Sequence, residues 1–150
     1  MISETEKNKE IAIKFFEALS SGAETYLDFY NDDSIIWTAG DNAIGGTRTK
    51  KEIIDFAKGI LAAFPNGIIF NITGITGENE RVAVEISGES MHASGEAYNN
   101  KYHFLLIIKN GKIIELKEYM DTQLAAKILL GERNLLTNSI KKPTTKKNFC

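Results

Sequence analysis

The chain has 150 residues but only one cysteine, Cys150 at its last position, and only two histidines. A single cysteine excludes an internal disulfide framework and any cysteine metal cluster. His92 lies near the end of one predicted strand and His103 lies on another, and no paired carboxylate motif accompanies them, so the sequence gives little support for a metal site. We therefore expect neither a metal nor another cofactor.

Long apolar runs and a strong excess of one charge are also missing. The formal net charge is -2, which creates no broad basic field for nucleic acid. No apolar run approaches the ~18 residues of a membrane span. The first ten residues, MISETEKNKE, are charged where a signal peptide is apolar. These features predict a cytoplasmic protein of one ordinary domain that binds neither nucleic acid nor membrane.

Helix signals dominate the first half of the chain. Ser3 opens a capping box, followed by apolar residues at helical spacing as far as Gly22. Thr49 opens a second capping box, and the helix that follows is closed by Pro65-Asn66-Gly67. Between these helices, residues 34–38 have the composition of a short strand.

The second half has the pattern of a β-sheet. We predict strands over residues 68–76, 81–91, about 97–109 and 112–120, separated by turn-forming residues. Asp121 is placed to cap a final helix that ends at Gly131. Helices followed by a long antiparallel sheet predict an α+β fold in which the helices pack over the concave face of a bent sheet and leave a conical ligand cavity.

We predict that this domain spans residues 1–132 and that the Lys-rich residues 133–150 form a disordered tail. Deleting residues 138–150 should then change the melting temperature little, because that segment lacks the apolar content to join a core.

The turn between the last two predicted strands decides whether a histidine and a glutamate lie next to each other. Residues 110–111, Asn-Gly between two apolar runs, predict a two-residue hairpin turn, because both tolerate positive φ. A regular hairpin places His103 opposite Glu118, on the same face as Leu105 and Leu116. A carboxylate on that apolar face needs a partner or a task. The two residues are either an acid/base dyad or a structural polar pair, unless a slip in register separates them.

Several motifs, in their order along the chain, resemble the SnoaL-like, ketosteroid-isomerase-related branch of the nuclear transport factor 2-like superfamily: Phe29-Tyr30-Asn31-Asp32-Asp33, Trp37, Gly45-Gly46, YNNKYHF at 98–104 and, most specific, GKIIELKEYMD at 111–121. The resemblance covers about residues 8–130. It implies a cystatin-like α+β barrel, in which a cone-shaped, mixed or antiparallel sheet carries the helices on its concave face. It also implies a homodimer through the outer face of the sheet, but no particular reaction.

The resemblance also tests individual site residues. Ketosteroid isomerases of this superfamily use a first-helix tyrosine and two aspartic acids, and those places are held here by Phe15, His103 and Thr38, so that machinery is absent. Of the arginine and two aspartates of the similar limonene-epoxide hydrolases, only the second carboxylate has a counterpart, Glu118. SnoaL-type cyclases place an acidic residue on the last strand, where Glu118 or Asp121 matches.

Glu118, His103 and Asp121 are therefore the candidate catalytic residues, although Asp121 fits a helix cap better than a catalyst. A second set of side chains is predicted to line the cavity, although aromatic residues at such spacing are also typical of a plain core: Tyr26, Tyr30, Trp37, Thr38, Phe56, Ile60, Phe64, Ile86, His92, Leu105, Leu116 and Met120. A third set is predicted to form an apolar outer sheet face that pairs with a second copy: Tyr102, Phe104, Leu106, Ile108, Ile113 and Tyr119.

Two functions remain open at this stage. One is general acid/base catalysis of the isomerase, cyclase or hydrolase type on a small apolar substrate, with Glu118 assisted by His103. The other is a non-catalytic ligand-binding or dimerisation module.

Overall fold

Residues 1–132, which the computed structural model describes, form three α-helices and one six-stranded sheet. The helices are α1 (Glu4–Ser21), α2 (Lys50–Ala63) and α3 (Thr122–Leu129), and a short 3-10 helix spans Glu24–Phe29. The strands are β1 (Tyr30–Thr38), β2 (Gly46–Thr49), β3 (Ile68–Glu78), β4 (Arg81–Ser90), β5 (Lys101–Lys109) and β6 (Lys112–Met120). The predicted tail, 133–150, lies outside the described residues. None of the helices in the described part is long and apolar enough to cross a membrane.

The three predicted helix starts are confirmed. The Ser3 hydroxyl accepts a hydrogen bond from the Glu6 amide at 3.2 Å. Thr49 and Glu52 form a complete capping box, in which each side chain accepts from the other residue's amide at 3.2 Å. One carboxylate oxygen of Asp121 accepts from two amides of α3, at 3.1 and 3.0 Å. Each cap satisfies N–H groups that have no partner inside the helix.

The strands form one mixed sheet in the order β2-β1-β6-β5-β4-β3. The neighbouring strands β1 and β6 are parallel, and every other neighbouring pair is antiparallel. Bulges interrupt the register of the β1–β6, β3–β4 and β5–β6 pairs, and a bulge bends its strand and increases the local twist. The bent sheet is the wall of a cone-shaped α+β barrel.

The main core lies between α1 and the concave face of the sheet. Phe16 of α1 packs against Phe104 of β5 with ring centroids 4.8 Å apart, and both side chains are buried. Leu106 and Ile108 continue the buried row along β5. A second apolar cluster joins α3 to the end of α2 through Phe64 and neighbouring residues.

The predicted turn of the last hairpin is confirmed, but the predicted register is wrong. Asn110 and Gly111 both have positive φ, 50° and 77°, as a two-residue hairpin turn requires. The pairing then shifts by one residue, because a bulge leaves Ile114 without an opposing residue. Beyond the bulge, Glu118 lies opposite Phe104 and not opposite His103.

The same bulge reverses the predicted faces of β5. Tyr102, Phe104, Leu106 and Ile108, together with Ile113 of β6, were predicted on the outer face, but all five are buried inside the protein. Since side chains alternate along a strand, His103 and its same-parity neighbours face outward instead.

Candidate functional site

A cavity of about 180 Å³ opens between the concave face of the sheet, the end of α1 and the apolar face of α2. Nine of its lining side chains are aromatic, among them Phe15 of α1 and Phe56 of α2. No side chain of α2 is fully buried, because its apolar face packs against the core clusters on one side and borders the cavity on the other. An apolar cavity of about 150 Å³ holds a benzene-sized guest, which sets the scale of a ligand for this site.

Glu118 is the charged side chain on this wall. Residue 118 pairs with residue 38 of β1 in parallel register, and the Thr38 hydroxyl donates to the Glu118 carboxylate at 3.1 Å. The accessible part of the Glu118 side chain faces the cavity rather than bulk solvent. Burial therefore raises the pKa of Glu118 to about 7, although the hydrogen bond from Thr38 and the positive charge of Arg48 act in the opposite direction.

Arg48 does not pair directly with Glu118. Its guanidinium donates to the backbone oxygens of Ile44 at 2.7 Å and of Ala43 at 3.2 Å. It also lies 4.0 Å from the centre of the Phe56 ring, which is a cation–π geometry. Arg48 is not among the lining residues, and with these contacts it acts on Glu118 only through its electrostatic field.

A hydroxyl network forms a second polar feature of the wall. Asn100 is fully buried and its amide nitrogen donates to the Tyr98 hydroxyl at 2.9 Å and to the Asp121 carbonyl at 3.1 Å. Tyr102 lies near Tyr98 on the same cavity wall. Burial raises the pKa of both tyrosines, and the nearby charge of Glu118 raises it further. Both hydroxyls are therefore protonated at neutral pH.

With this geometry established, the comparison with known proteins identifies the family. A sequence model described as the SnoaL-like domain matches residues 12–116, which is more than half of the chain. The chain belongs to the SnoaL-like domain family. No curated protein matches the sequence of this SnoaL-like domain significantly.

Solved structures similar to this SnoaL-like domain share its fold at low sequence identity. PrhC from Penicillium brasilianum is 16% identical with a TM-score of 0.78, over 85% of this chain and 89% of PrhC. IdmH from Streptomyces antibioticus, a candidate polyketide cyclase, is 18% identical with a TM-score of 0.69, over 83% of this chain and 99% of IdmH. A nuclear transport factor 2-like protein from Anabaena variabilis is 21% identical with a TM-score of 0.69, over 80% of this chain and 93% of that protein.

The SnoaL-like domain brings many of the predicted lining residues to its cavity. Besides Glu118, the structure places these predicted residues on the wall: Tyr26, Tyr30, Phe56, Ile60, Phe64, Leu116 and Met120. Thr38 lies buried directly beside the carboxyl group, to which it donates. That these side chains bind a ligand stays a prediction.

The predicted dyad of His103 and Glu118 is wrong. His103 lies on the exposed outer face of β5, opposite Tyr119, with ring centroids 6.5 Å apart. Asp121 caps α3 with its carboxylate and is not among the residues that line the cavity. Of the three predicted catalytic residues, only Glu118 reaches the cavity.

Four predicted lining residues also lie elsewhere. Trp37 and Leu105 belong to the outer sheet face, and Ile86 is buried in the main core. His92 lies at the end of α2, where its ring contacts Phe64 at 5.6 Å and its Nδ1 accepts from the amide of residue 94 at 3.1 Å. All four residues were assigned to the cavity from strand parity or motif position, and the structure places each of them outside the cavity lining.

Sequence reasoning missed five aromatic residues of the wall: Phe15, Phe70, Tyr98, Tyr102 and Phe104. Residues 98, 102 and 104 have the same parity, and that period of two was the available signal for one shared face. The signal was assigned to the wrong side of the sheet because a regular hairpin was assumed. Among residues 1–132, no group of three or more His, Cys, Asp or Glu side chains could hold a metal ion.

Proposed function

We propose that this SnoaL-like domain binds a small, largely apolar molecule in its cavity and moves a proton with Glu118 as its single acid/base group. One observation carries the proposal: a lone carboxyl group on an aromatic wall, with a pKa that burial raises to about 7. A general acid or base is most effective when its pKa lies near the working pH, because both protonation states are then populated.

The hydroxyl network supplies a complementary group for such a reaction. Tyr98 and Tyr102 stay protonated, and the Tyr98 hydroxyl donates to the Met120 sulfur at the long distance of 3.9 Å, so a hydroxyl of this pair can turn to donate to a carbonyl oxygen of a guest. A carbonyl oxygen gains negative charge when a base removes a proton from the adjacent carbon, and donors already in place stabilise that charge. The site therefore favours a substrate with a carbonyl group, which agrees with the description of IdmH as a candidate polyketide cyclase.

Deuterium exchange into a cyclic ketone tests the proposal without knowledge of the natural substrate. We expect the protein to accelerate exchange at the carbons beside the carbonyl of indanone in heavy water, followed by NMR. Glu118→Gln should lower the protein-dependent rate at least about 100-fold, since general acid/base groups contribute about 10² to 10⁴. The rate should rise with pH through about 7, as the carboxyl group becomes a base.

Glu115→Gln is the matched control, because Glu115 lies on the same strand and is ion-paired with Lys117 at 3.7 Å, away from the cavity. It should exchange indanone at the wild-type rate. Equal rates for wild type and Glu118→Gln would contradict the assignment of Glu118.

A non-catalytic binding module is the second candidate. The observation that favours it is the absence of His103 from the cavity, which leaves Glu118 as the only carboxyl or imidazole group among the described lining residues. Indanone that raises the melting temperature but undergoes no protein-dependent exchange would select this candidate.

A further inference from the structure

The lining of the cavity contains an acidic side chain but no basic side chain among the described residues. Within the described residues, its lining contains the acidic Glu118 and no lysine, arginine or histidine. The positive charge that acts on Glu118, Arg48, is not among the lining residues, already donates to two backbone oxygens and lies over the ring of Phe56. Nothing in the described protein therefore pairs with the ionised form of Glu118.

The residues around Glu118 on the other elements carry no positive charge that could balance its carboxylate. β1 contributes the Thr38 hydroxyl and Tyr30, the segment before β5 contributes Tyr98, and β5 itself contributes Tyr102; all four are neutral at pH 7. The lining side chains of α1, α2 and α3 are apolar. Hydroxyl donors reduce the cost of the carboxylate but do not neutralise it.

The rings around the carboxyl group add the same preference. The face of an aromatic ring is negative, so it attracts a cation within about 6 Å of its centre. A carboxylate in a cavity lined by tyrosine and phenylalanine rings is the chemistry that recognises ammonium groups.

From these contacts we propose that the cavity takes a small apolar amine, with its positively charged nitrogen held between the Glu118 carboxylate and the rings of Tyr30, Tyr98 and Tyr102. The inference rests on the cavity and the carboxyl group of the proposed function, but not on proton transfer. A neutral guest fills the same space and leaves the carboxylate unpaired.

The test compares two compounds of one shape. Benzyltrimethylammonium carries a permanent positive charge, and neopentylbenzene replaces its nitrogen with carbon. We expect the cation to bind at least about tenfold more tightly than the hydrocarbon at about pH 8, measured by ligand-observed NMR. Because only ionised Glu118 pairs with the cation, its affinity should fall about tenfold per pH unit below about 7, while the affinity of neopentylbenzene should not fall.

Substitution then locates the effect. Glu118→Gln should remove both the preference for the cation and its pH dependence, and should change the affinity for neopentylbenzene less than about threefold. Glu115→Gln should leave all affinities unchanged. The pH series on the wild type needs no variant, so it decides the question even if Glu118→Gln does not fold.

Three results would overturn the inference: equal affinities for the two compounds at about pH 8, a pH-independent affinity of the wild type for the cation, or no binding of either compound. Cation selectivity without indanone exchange would support this inference and contradict proton transfer. Indanone exchange without cation selectivity would support proton transfer and contradict the binding of an amine.

Discussion

Replacing Glu118 by Gln should stabilise the protein at alkaline pH and change its stability little at acidic pH. The folded protein holds the pKa of Glu118 at about 7, against an ordinary value of 4.5. Between those values the folded state keeps a proton that the unfolded state has released. The free energy of unfolding of the wild type must therefore fall as pH rises through this window, and the uncharged amide has no such dependence.

The magnitude follows from the same two values. Each unit between the folded and unfolded pKa corresponds to about 1.4 kcal/mol, so the full effect is roughly 3 kcal/mol. Because Glu118 keeps some accessible surface toward the open cavity, this figure is a ceiling. Most of it should develop between about pH 5 and about pH 8.

Urea unfolding followed by circular dichroism measures the effect at one fixed protein concentration. The difference between wild type and Glu118→Gln is compared at about pH 5 and about pH 8, since groups common to both proteins cancel in that difference. Glu115→Gln should show a small, nearly pH-independent difference, because its ion pair with Lys117 is partly exposed.

A difference between wild type and Glu118→Gln that stays constant over this range would refute the argument from burial. A wild type that gains stability relative to the variant at high pH would show that the carboxylate has a stabilising partner.

Three further predictions concern the core, the last helix and the outer face of the sheet. Phe16→Ala should lower the free energy of unfolding by about 3 to 5 kcal/mol, because Phe16 is 1% exposed and fills the centre of the core; a loss below about 1 kcal/mol in urea unfolding would contradict this packing. Asp121→Ala should cost about 1 kcal/mol by removing the cap of α3 and should leave indanone exchange unchanged, whereas a loss of exchange would give Asp121 a catalytic role. We also propose a homodimer through the outer sheet face, where Trp37 and the 42% exposed Tyr119 lie 5.2 Å apart; Tyr119→Glu should shift sedimentation toward the monomer, and a concentration-independent monomer in the wild type would contradict the proposal.

Local chemistry in the sequence was sufficient for the starts of the three α-helices and for the last hairpin turn, but not for the starts of β1 at Tyr30 and β5 at Lys101. Ser3, Thr49 and Asp121 start their helices as predicted, because each supplies a side-chain oxygen to amides only a few residues away. The turn at residues 110–111 also depends only on the positive φ of its own two residues. The α+β order and the family resemblance followed from such short-range patterns.

Strand β2 (Gly46–Thr49) escaped prediction for the opposite reason. Its four residues have little strand character of their own, and they form a strand by pairing with residues 35–38 of β1. The pairing partners lie 8 to 14 residues apart, and the propensity of the four residues themselves does not reveal it.

Which side chains line the cavity was decided by one feature of the tertiary structure, the bulge at Ile114. The sequence places alternating side chains along β5 and β6, but the bulge at Ile114 determines which of them share a face. Because the period of a strand is two, one extra residue sends His103 outward and leaves Glu118 inside with Phe104. The carboxyl group is therefore alone in an aromatic cavity, and its raised pKa follows from that burial rather than from any partner visible in the sequence.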